Sequence, residues 1–459
     1  MAETFKMVAK TFQGLEGVLA DELRALGADD VAEGIRMVSF KGDKEMMYRA
    51  NFCLRTALRV LKPFHTLRAT DPDDLYDQLK GFDWTALMSA GQTFMLDATV
   101  NSDSFRNSRF VTYRVKDAIV DHFSEATGRR PSIRLTNPDL RIDIHISGDE
   151  VTLSLDSSGE PLYRRGWRVA QTDAPINEVL AAGIIKLSGW DGQTDLVDPM
   201  CGSGTFLVEA ALIAANINPG VFRQHFAFQN WSDYDDELFN EIYNDDSGER
   251  EFTHKIIGTD CDGKAIAISR ANIKSAGVAK YVDLALRDLS EWNEAPEGGT
   301  IITNPPYGER LNPEAINQLY ELIGQKLKFV FKGYKAWMII NKAEHNDHIG
   351  LRPSLRYPLL NGAIECELRE YVIFEGKYNE MRERGEDIRN DDFRRSEGRP
   401  ARFRSRDERP RPPRDRDRDR DERPRPPRNL SHGPRLGADK EVPIIHGRRK
   451  SWKRRDLDE

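Results

Sequence analysis

The chain has 459 residues, of which 39% are hydrophobic and 31% are charged, so it has enough apolar material for two or three domain cores. The chain has a net charge of −7, although residues 381–459 are basic, with 26 Lys and Arg against 18 Asp and Glu. The rest of the chain is therefore acidic. No apolar run reaches membrane-spanning length, the N-terminus does not resemble a secretory signal and the four cysteines form no CxxC pair, so we expect a cytoplasmic protein with no membrane partner, disulfide framework or metal site.

The first 165 residues predict a separate N-terminal unit. The segment FQGLEGVLADELRALGA has the apolar spacing of a helix and a glycine near its end, and EGIRMVSFKGD is typical of a strand that leads into a turn. Strands are also predicted within LRIDIHISGDEVTLSLDSSG, after which LYRRGWRV connects to a second domain.

Basic residues surround an amphipathic helix that is predicted within SFRNSRFVTYRVKDAIVDHFSEATGRRP. This cluster stands out in an acidic body and favours contact with phosphates, while an ordinary solvated helix face is the alternative. A second basic group, around Trp167, mixes charge with an aromatic ring near the domain junction. The residues predicted to contact a nucleic acid are Arg106, Arg109, Arg114, Lys116, Arg164, Arg165 and Arg168.

Between Asp195 and Ile373, short apolar strands alternate with amphipathic helices, which predicts an α/β domain with a parallel sheet covered on both faces. The five predicted parallel strands are TDLVD, KIIGTD, VDLALRD, TIITN and KAWMIIN. At the end, RYPLLNGAIECELREYVIF predicts an antiparallel hairpin, because Asn-Gly between apolar runs is a strong turn signal. A mostly parallel, seven-stranded sheet closed by a hairpin is typical of Rossmann-like methyltransferases.

The first of these strands ends in DPMCGSGTF, where Gly202 and Gly204 would let a ligand approach the backbone at the start of a helix. A Walker pattern is absent, and a dinucleotide site would need GxGxxG with an acid about 20 residues later. An adenosyl cofactor without a phosphate to hold fits better, with Asp198 near its methionine end, Asp260 at its ribose and Asp288 at its adenine amine. Helix capping is the alternative role of Asp260 and Asp288.

The sequence NPPY at 304–307 ends the predicted strand TIITN, and its prolines cannot donate backbone hydrogen bonds. An exocyclic amine on a base is a poor nucleophile because its lone pair is delocalised into the ring. The side-chain oxygen of Asn304 and the carbonyl of Pro305 could accept from its two hydrogens, and Tyr307 offers a ring on which the base can stack. The motif therefore predicts methylation of a base amine, with a simple strand-ending turn as the alternative.

Two segments depart from the regular pattern. Residues 218–254 form a polar insertion rich in aromatic residues, which we expect to pack as a lid over the domain, with a wedge into RNA as the alternative. Residues 381–459 contain RDERPRPPR twice and almost no large apolar side chains, so this tail is predicted to be disordered. It is either an arm that associates with RNA or a solvated tail, and the first hypothesis requires that its removal lowers RNA affinity.

Six ordered segments resemble the bacterial 23S ribosomal RNA guanine-N2 methyltransferases: GLEGVLADEL, SFRNSRFVTYRVKDAIVD, NPDLRIDIHI, APINEVLAAGIIKLSGW, DPMCGSGTFLVEAAL and TNPPYGER. The resemblance covers about residues 3 to 375. It implies a ferredoxin-like segment and a THUMP domain that bind RNA, followed by a Rossmann-like domain that methylates guanine N2 with S-adenosyl-L-methionine. The predicted bounds are 1–44 for the ferredoxin-like segment, 45–156 for THUMP, 157–170 for a linker, 171–380 for the methyltransferase domain and 381–459 for the tail.

The site residues follow from the motifs and the resemblance together. The predicted cofactor-binding residues are Asp198, Cys201, Gly202, Gly204, Thr205, Asp260, Asp288 and Asn304. The predicted catalytic residues, which would hold the base, are Asn304, Pro305, Pro306 and Tyr307. The expected partner is 23S ribosomal RNA, as a precursor or an assembly intermediate, with the guanine flipped or lying in an opened strand.

Three other functions share parts of this pattern. A transfer RNA guanine-N2 enzyme can join THUMP to the same catalytic domain. A DNA adenine-N6 methylase shares NPPY and the glycine loop, but nothing in the chain resembles a DNA target-recognition domain, so no DNA partner is expected. A ribosome-assembly factor that binds RNA and retains only the fold would transfer no methyl group. The oligomeric state is not predicted.

Overall fold

The computed structural model describes residues 3–306, 312–341 and 344–374, with the backbone alone at 344–346. The predictions for Tyr307 and for the tail at 381–459 therefore lie outside the described residues. In the described part of the chain, no helix is both long enough and apolar enough to cross a membrane.

The N-terminal unit is built on one eight-stranded sheet, in the order β2-β3-β1-β4-β8-β7-β5-β6. The strands are β1 (Phe5–Lys10), β2 (Asp29–Gly34), β3 (Met37–Gly42), β4 (Arg59–Arg68), β5 (Thr93–Asn101), β6 (Ser132–Ile133), β7 (Leu140–Ser147) and β8 (Glu150–Asp156). The helices are α1 (Glu16–Ala25), α2 (Lys44–Cys53), α3 (Pro72–Lys80) and α4 (Ser108–Thr127). Because β1 pairs with β4, the sheet is continuous across the predicted boundary at residue 44.

Helix α4 forms where the sequence predicts it. The Asn107 side chain accepts a hydrogen bond from the Phe110 amide at the start of the helix, and Gly128 ends it with a φ of 69°. Its apolar spacing buries one face, which includes Val111 and Val115, against the rest of the unit. The other face of α4 is left in solvent.

The second sheet has seven strands in the order β11-β10-β9-β12-β13-β15-β14. They are β9 (Leu196–Asp198), β10 (Ile256–Asp260), β11 (Val282–Leu286), β12 (Gly299–Thr303), β13 (Tyr334–Asn341), β14 (Leu355–Asn361) and β15 (Ile364–Val372). The helices of this half are α5 (Glu178–Leu187), α6 (Thr205–Ala214), α7 (Asp236–Asn244), α8 (Gly263–Ser275) and α9 (Pro313–Phe329).

The pairing confirms the predicted Rossmann-like arrangement. Strands β9 to β13 are parallel to one another, and β15 is antiparallel to both β13 and β14. Asn361 pairs with Ile364, so the two residues of the hairpin turn are Gly362 and Ala363. Gly362 has a φ of 65°, which a residue with a side chain adopts at a cost. The Asn-Gly signal thus located the hairpin correctly to within one residue.

The aromatic insertion at 218–254 does not form a lid over the methyltransferase domain, and this prediction is wrong. Four of its buried aromatic residues join the core of the N-terminal unit instead, namely Phe226, Phe228, Trp231 and Phe239, whereas Phe252 packs in the core of the catalytic half. Phe228 stacks on Tyr48 with 4.3 Å between ring centroids, and the Tyr48 hydroxyl accepts a hydrogen bond from the Asp235 amide. Phe239 meets Phe52 edge to face. Because these rings are buried, they are also unable to wedge into RNA.

Arg223, within the same insertion, fixes the segment that connects the two halves. Its guanidinium donates to the carbonyls of Ser158, Glu160, Pro161 and Arg164 at 2.8 to 3.2 Å. Burial lowers the pKa of this guanidinium to about 10, which leaves it charged at neutral pH. The insertion, which belongs to the catalytic half of the sequence, therefore holds the backbone of the connecting segment in place.

Candidate active site

The predicted site residues come together because parallel strands end at the same edge of a sheet. Strand β9 lies between β10 and β12, so Asp198 and Asp260, which end β9 and β10, lie near Asn304, which directly follows β12. The Thr303 hydroxyl donates to Asp198 at 2.7 Å, which joins β12 to β9. The Gly202 amide donates to Asp260 at 2.9 Å, which joins the glycine loop to β10. This is the edge at which ligands bind in open α/β sheets.

The glycine loop needs both of its glycines. Gly202 and Gly204 have φ values of 52° and 75°, in the left-handed region. A Cβ at Gly204 would lie 2.9 Å from the Ser269 hydroxyl oxygen, so this glycine allows α6 to pack closely on α8. At Gly202, the nearest described atom that a Cβ would meet is the Thr172 hydroxyl oxygen, 3.9 Å away. Gly202 therefore leaves room above the backbone for a ligand.

The remaining loop residues serve mainly to hold its shape. Cys201 is 6% exposed, and its sulfur lies 3.8 Å from the Ser269 hydroxyl oxygen. Burial raises the pKa of the Cys201 thiol, so it is a neutral packing group. Thr205 is 2% exposed, and its hydroxyl accepts a hydrogen bond from Arg168.

Asp260 organises the loop through both carboxylate oxygens. One accepts from the Gly202 amide, and the other accepts from the Asp262 amide at 2.9 Å. The cap of α8 is Asp262, whose side chain accepts from the Lys264 amide. The capping alternative therefore does not hold for Asp260, which is half-buried and retains lone pairs for a ligand hydroxyl.

Capping does describe Asp288. Its side chain caps a short 3₁₀ turn at Leu289–Glu291 by accepting from the amide and the hydroxyl of Ser290. These hydrogen bonds hold the pKa of the Asp288 carboxyl below its usual range. The carboxylate is half-buried at the end of β11, so contact with an adenine amine stays a prediction.

Asp198 lies inside the domain rather than on the wall of a cavity. It is 1% exposed and accepts from the Thr303 hydroxyl and the Met200 amide. Burial raises the pKa of its carboxyl to about 7. Its observed role is to connect the glycine loop to the residue that precedes Asn304, and sequence reasoning missed Thr303 although it is adjacent to the motif.

The start of the NPPY motif lies where the prediction placed it. Asn304 is half-buried, Pro305 is buried and Pro306 is exposed, directly after β12. Since β12 pairs directly with β9, this position lies beside the end of β9, where the glycine loop begins. Tyr307 is not among the described residues, and its stacking role stays a prediction.

The basic residues of the N-terminal unit have different surroundings. Arg106 and Arg109 are exposed. Arg114 pairs with Asp73 at 2.7 Å and lies over a tyrosine ring, while Lys116 pairs with its neighbour Asp117. Among the four, the first two are therefore the better placed for contact with RNA.

Near the domain junction, Arg164 is exposed beside Glu160, but the predicted RNA contacts of Arg165 and Arg168 are wrong. Arg165 is 2% exposed and pairs with the buried Glu209 at 3.5 Å. Arg168 pairs with Glu178 at 2.6 Å, and its side chain is 15% exposed. Both guanidiniums are held by buried carboxylates, so neither is available to a phosphate.

Three polar residues that sequence reasoning missed attach the connecting segment to the glycine loop. The Thr172 amide and hydroxyl both contact the Ser203 hydroxyl, at 2.8 and 2.9 Å. The amide group of Asn272 donates to the carbonyls of Ala170 and Ser203. Asn272 is fully buried on α8, yet no local pattern marks it, because its partners are far away in the sequence.

A Rossmann-like sheet with a glycine loop after its first strand, an acid at the end of its second and Asn-Pro-Pro after its fourth is the arrangement of a Rossmann-like methyltransferase. The family model "RMKL-like, methyltransferase domain" matches residues 165–370, "THUMP domain" matches 69–156 and "RlmL ferredoxin-like domain" matches 6–61. These matches leave the predicted domain bounds as predictions. Within the described residues, no cluster of three His, Cys, Asp or Glu side chains could hold a metal ion.

Two curated relatives and a crystal structure extend these matches. The chain is 40% identical over 391 residues to "Ribosomal RNA large subunit methyltransferase K/L" of Syntrophotalea carbinolica, covering 82% of this chain but only 55% of that protein. It is 36% identical over 376 residues to "Putative RNA methyltransferase slr0064" of Synechocystis, covering 81% of this chain and 98% of that protein. The structure of "SMU.472, a putative methyltransferase complexed with SAH" is 30% identical, has a TM-score of 0.73 and is covered completely, with 82% of this chain covered.

The chain therefore belongs to the RMKL-like methyltransferase family that carries ferredoxin-like and THUMP parts at its N-terminal side. This confirms the predicted methyltransferase class with S-adenosyl-L-methionine as its cofactor, together with the predicted fold. The chain spans about half the length of the first of the two curated relatives.

Proposed function

We propose that this protein transfers a methyl group from S-adenosyl-L-methionine to the N2 amine of a guanine in large-subunit ribosomal RNA. The observation that carries the proposal is the placement of Asn304 and Pro305 at the end of β12, joined through Thr303 and Asp198 to the glycine loop. An amine-orienting pair and a cofactor loop are thus fixed to one another by a buried hydrogen bond.

The residues of the loop fit an adenosyl cofactor. Gly202 leaves space above its backbone, and Asp260 offers a carboxylate to ribose hydroxyls beside it. When bound, S-adenosyl-L-methionine supplies a methyl group that its sulfonium already activates. The chain therefore has to align the amine more than it has to provide a strong base. The Asn304 side-chain oxygen and the Pro305 carbonyl would each accept a hydrogen bond from the amine and so direct the nitrogen lone pair toward the methyl carbon.

The RNA substrate is supported by the THUMP match and by the names of both curated relatives. The large ribosomal subunit is supported by the first of those names and by the ordered motifs of the resemblance. The N2 amine of a paired guanine lies in a groove, so a precursor or assembly intermediate with an opened strand is the form of substrate we propose. A ribosomal RNA substrate also implies action in the cytoplasm.

The proposal is tested with labelled cofactor and RNA from bacteria that lack the gene. We expect label in 23S RNA as N2-methylguanosine, and none in 23S RNA from the parent strain, in transfer RNA or in DNA. Label in transfer RNA alone would establish the competing guanine-N2 enzyme, and methyladenine in DNA would establish the adenine-N6 methylase. No transfer to RNA or to assembly intermediates would leave a binding factor.

Asn304→Ala tests the role of the motif. We expect turnover to fall by about a hundredfold or more, because one of two acceptors for the amine is lost, while cofactor affinity stays within about twofold. Titration calorimetry with the cofactor gives the affinity, and the labelled assay gives turnover. Equal losses in both would show that the substitution disturbs the fold and would contradict the assigned role.

A further inference from the structure

Two aromatic residues lie three positions apart on the solvent face of α4. Phe110 is 49% exposed and Tyr113 is 55% exposed. Residues three apart in a helix lie on the same face, with about 5 to 6 Å between their Cβ atoms. Over the described parts of the chain, the other exposed aromatic residues, Tyr243 and Phe329, lie singly on α7 and α9. Single exposed apolar residues are ordinary on a protein surface, whereas exposed apolar residues grouped on one face point to a site of interaction.

The fold keeps these two rings in solvent. Val111, Val115 and Ile119 fill the opposite face of α4 and are at most 1% exposed. Just before the helix, Phe105 is also buried, and Asn107 caps the first turn. Rotating α4 to bury the exposed rings would bring this apolar face into water. The exposure of the rings is therefore a consequence of the helix register rather than of a frayed end.

The charges around the rings favour a polyanion as the partner. Arg106 and Arg109 flank Phe110, and neither forms an ion pair with a side chain in the described residues. The Lys116 amino group lies 6.0 Å from the centre of the Tyr113 ring. The Arg106 Nε donates to the Asp103 carbonyl at 3.3 Å, which leaves the charge of its guanidinium unneutralised. Such charges beside exposed rings match a nucleic acid strand whose phosphates and bases are both accessible.

We infer that Phe110 and Tyr113 form a stacking platform for unpaired bases of the RNA substrate, with Arg106 and Arg109 on the adjoining phosphates. The inference rests on the proposed RNA substrate and adds which form of RNA the N-terminal unit binds. Bases in a duplex are already stacked on each other, so the platform selects single-stranded segments. It belongs to the eight-stranded sheet, whereas the catalytic motif ends a strand of the other sheet, so the platform serves binding and not the chemical step.

The test compares variants of the full chain. A double variant, Phe110→Ala with Tyr113→Ala, removes both rings; Arg106→Gln with Arg109→Gln removes both charges; Phe329→Ala removes a single exposed ring elsewhere as a control. The probes are a labelled single-stranded RNA of about a dozen nucleotides, within the range of site sizes of such surfaces, and its duplex with the complementary strand. Affinity is measured at several salt concentrations.

The two kinds of variant should respond differently to salt. Loss of the rings should weaken binding of the single strand by about tenfold or more, with an unchanged salt slope, because stacking releases no counterions. Loss of the two charges should reduce the slope by about 1.4, since each phosphate contact with a single strand contributes roughly 0.7. The Phe329→Ala control and all duplex affinities of the ring variant should match wild type.

The inference would be overturned if the ring variant bound the single strand as tightly as wild type, or if it lost as much affinity for the duplex as for the single strand. It would also be overturned if the ring variant bound both RNA probes normally and lost only its binding to ribosomal particles, because the rings would then contact a ribosomal protein. Methyl transfer measured over a range of ribosomal RNA concentrations distinguishes this failure from failure of the proposed function. If the platform is right, the ring variant has a higher KM for the RNA than wild type and the same kcat. If the proposed function is wrong, wild type itself transfers no methyl group to that RNA.

Discussion

At the scale of single residues, the hydrogen bond between Thr303 and Asp198 joins the strand that precedes the glycine loop to the residue before Asn304, and so connects the two parts of the proposed site. Thr303→Val keeps the size of the side chain but leaves the buried carboxylate without this donor, which costs about 1 to 3 kcal/mol. Because Asn304 follows immediately, we expect kcat to fall about tenfold or more while cofactor affinity changes less. Steady-state kinetics and cofactor calorimetry measure the two effects.

Thr303→Ser is the matched control, because it retains the hydroxyl and loses only a methyl group. It should recover most of the turnover that Thr303→Val loses. A serine variant as slow as the valine variant would show that the methyl group, and not the hydrogen bond, positions Asn304.

Asp198 also makes stability depend on pH. Burial raises the pKa of its carboxyl to about 7, from 3.8 for an unperturbed aspartate. Between these values the folded chain keeps a proton that the unfolded chain has released, so this group's contribution to the free energy of unfolding decreases as the pH rises through that interval. Asp198→Asn abolishes the titration. Relative to wild type, the free energy of unfolding of the variant should rise by roughly 2 to 3 kcal/mol from pH 5 to pH 7.

Urea unfolding at several pH values between these limits measures the difference. Asp288→Asn is the control: hydrogen bonds from Ser290 hold the pKa of Asp288 below its usual range, so it is ionised in both states throughout the interval. Its difference from wild type should be flat. A flat difference for Asp198→Asn as well would mean that the buried carboxyl does not titrate in this range.

At the scale of elements, the insertion at 218–254 acts as an internal brace between the two halves of the chain. Phe228 is fully buried, stacks on Tyr48 and meets Phe239 edge to face. Phe228→Ala should lower the free energy of unfolding by about 3 to 5 kcal/mol, the usual cost of removing a buried phenylalanine ring. Phe329→Ala, at a position 72% exposed, should change it by less than about 0.5 kcal/mol.

Chemical denaturation followed by tryptophan fluorescence tests the role of this brace. The Phe228→Ala variant should retain cofactor affinity at low denaturant, because the glycine loop precedes α6 and the insertion follows the opposite end of that helix. A loss below about 1 kcal/mol would mean that the insertion packs more loosely than its burial indicates.

The elements that the sequence predicted correctly are those whose signal is local. Apolar runs marked β9 to β13, glycines marked the loop between β9 and α6, and Asn-Gly marked the hairpin at Gly362. The insertion was misplaced because its aromatic partners, Tyr48 and Phe52, lie well over a hundred residues earlier in the chain. An exposed and a buried aromatic segment have the same composition, so only the fold distinguishes a brace from a lid.

The same reason explains the errors among the charged residues. Arg165 and Arg168 look like a basic patch in the sequence, since their partners Glu209 and Glu178 come later and on other elements. Asn272 was missed because its four hydrogen bonds reach segments about 70 and 100 residues away. Motifs therefore located the glycine loop and the strand ends, whereas the structure was needed to show that Asp198, Cys201 and Thr205 are buried and hold the loop in place.

At the scale of the whole molecule, the N-terminal and catalytic halves share buried side chains. The core of the N-terminal unit includes rings from the insertion of the catalytic half, and Arg165 carries a buried ion pair to α6. The two halves also meet at Gly183 of α5, where a Cβ would collide with the side chain of Leu15, which lies just before α1. Domains that share cores in this way are expected to unfold together.

The separated catalytic half is therefore expected to be unstable. A fragment of residues 165–374 would expose Phe226, Phe228, Trp231 and Phe239, which are at most 9% exposed in the full chain. Apolar surface of this size drives aggregation. We expect the fragment to aggregate or to bind a hydrophobic dye, whereas residues 1–374 should give one unfolding transition with coincident fluorescence and circular dichroism curves.

The control is the same fragment with the four newly exposed aromatic residues replaced by Ser or Gln, and these replacements should restore solubility. If the unmodified fragment were soluble and bound the cofactor as tightly as the longer chain, the catalytic half would be stable on its own. The shared core would then join the two halves without contributing to the stability of the catalytic half.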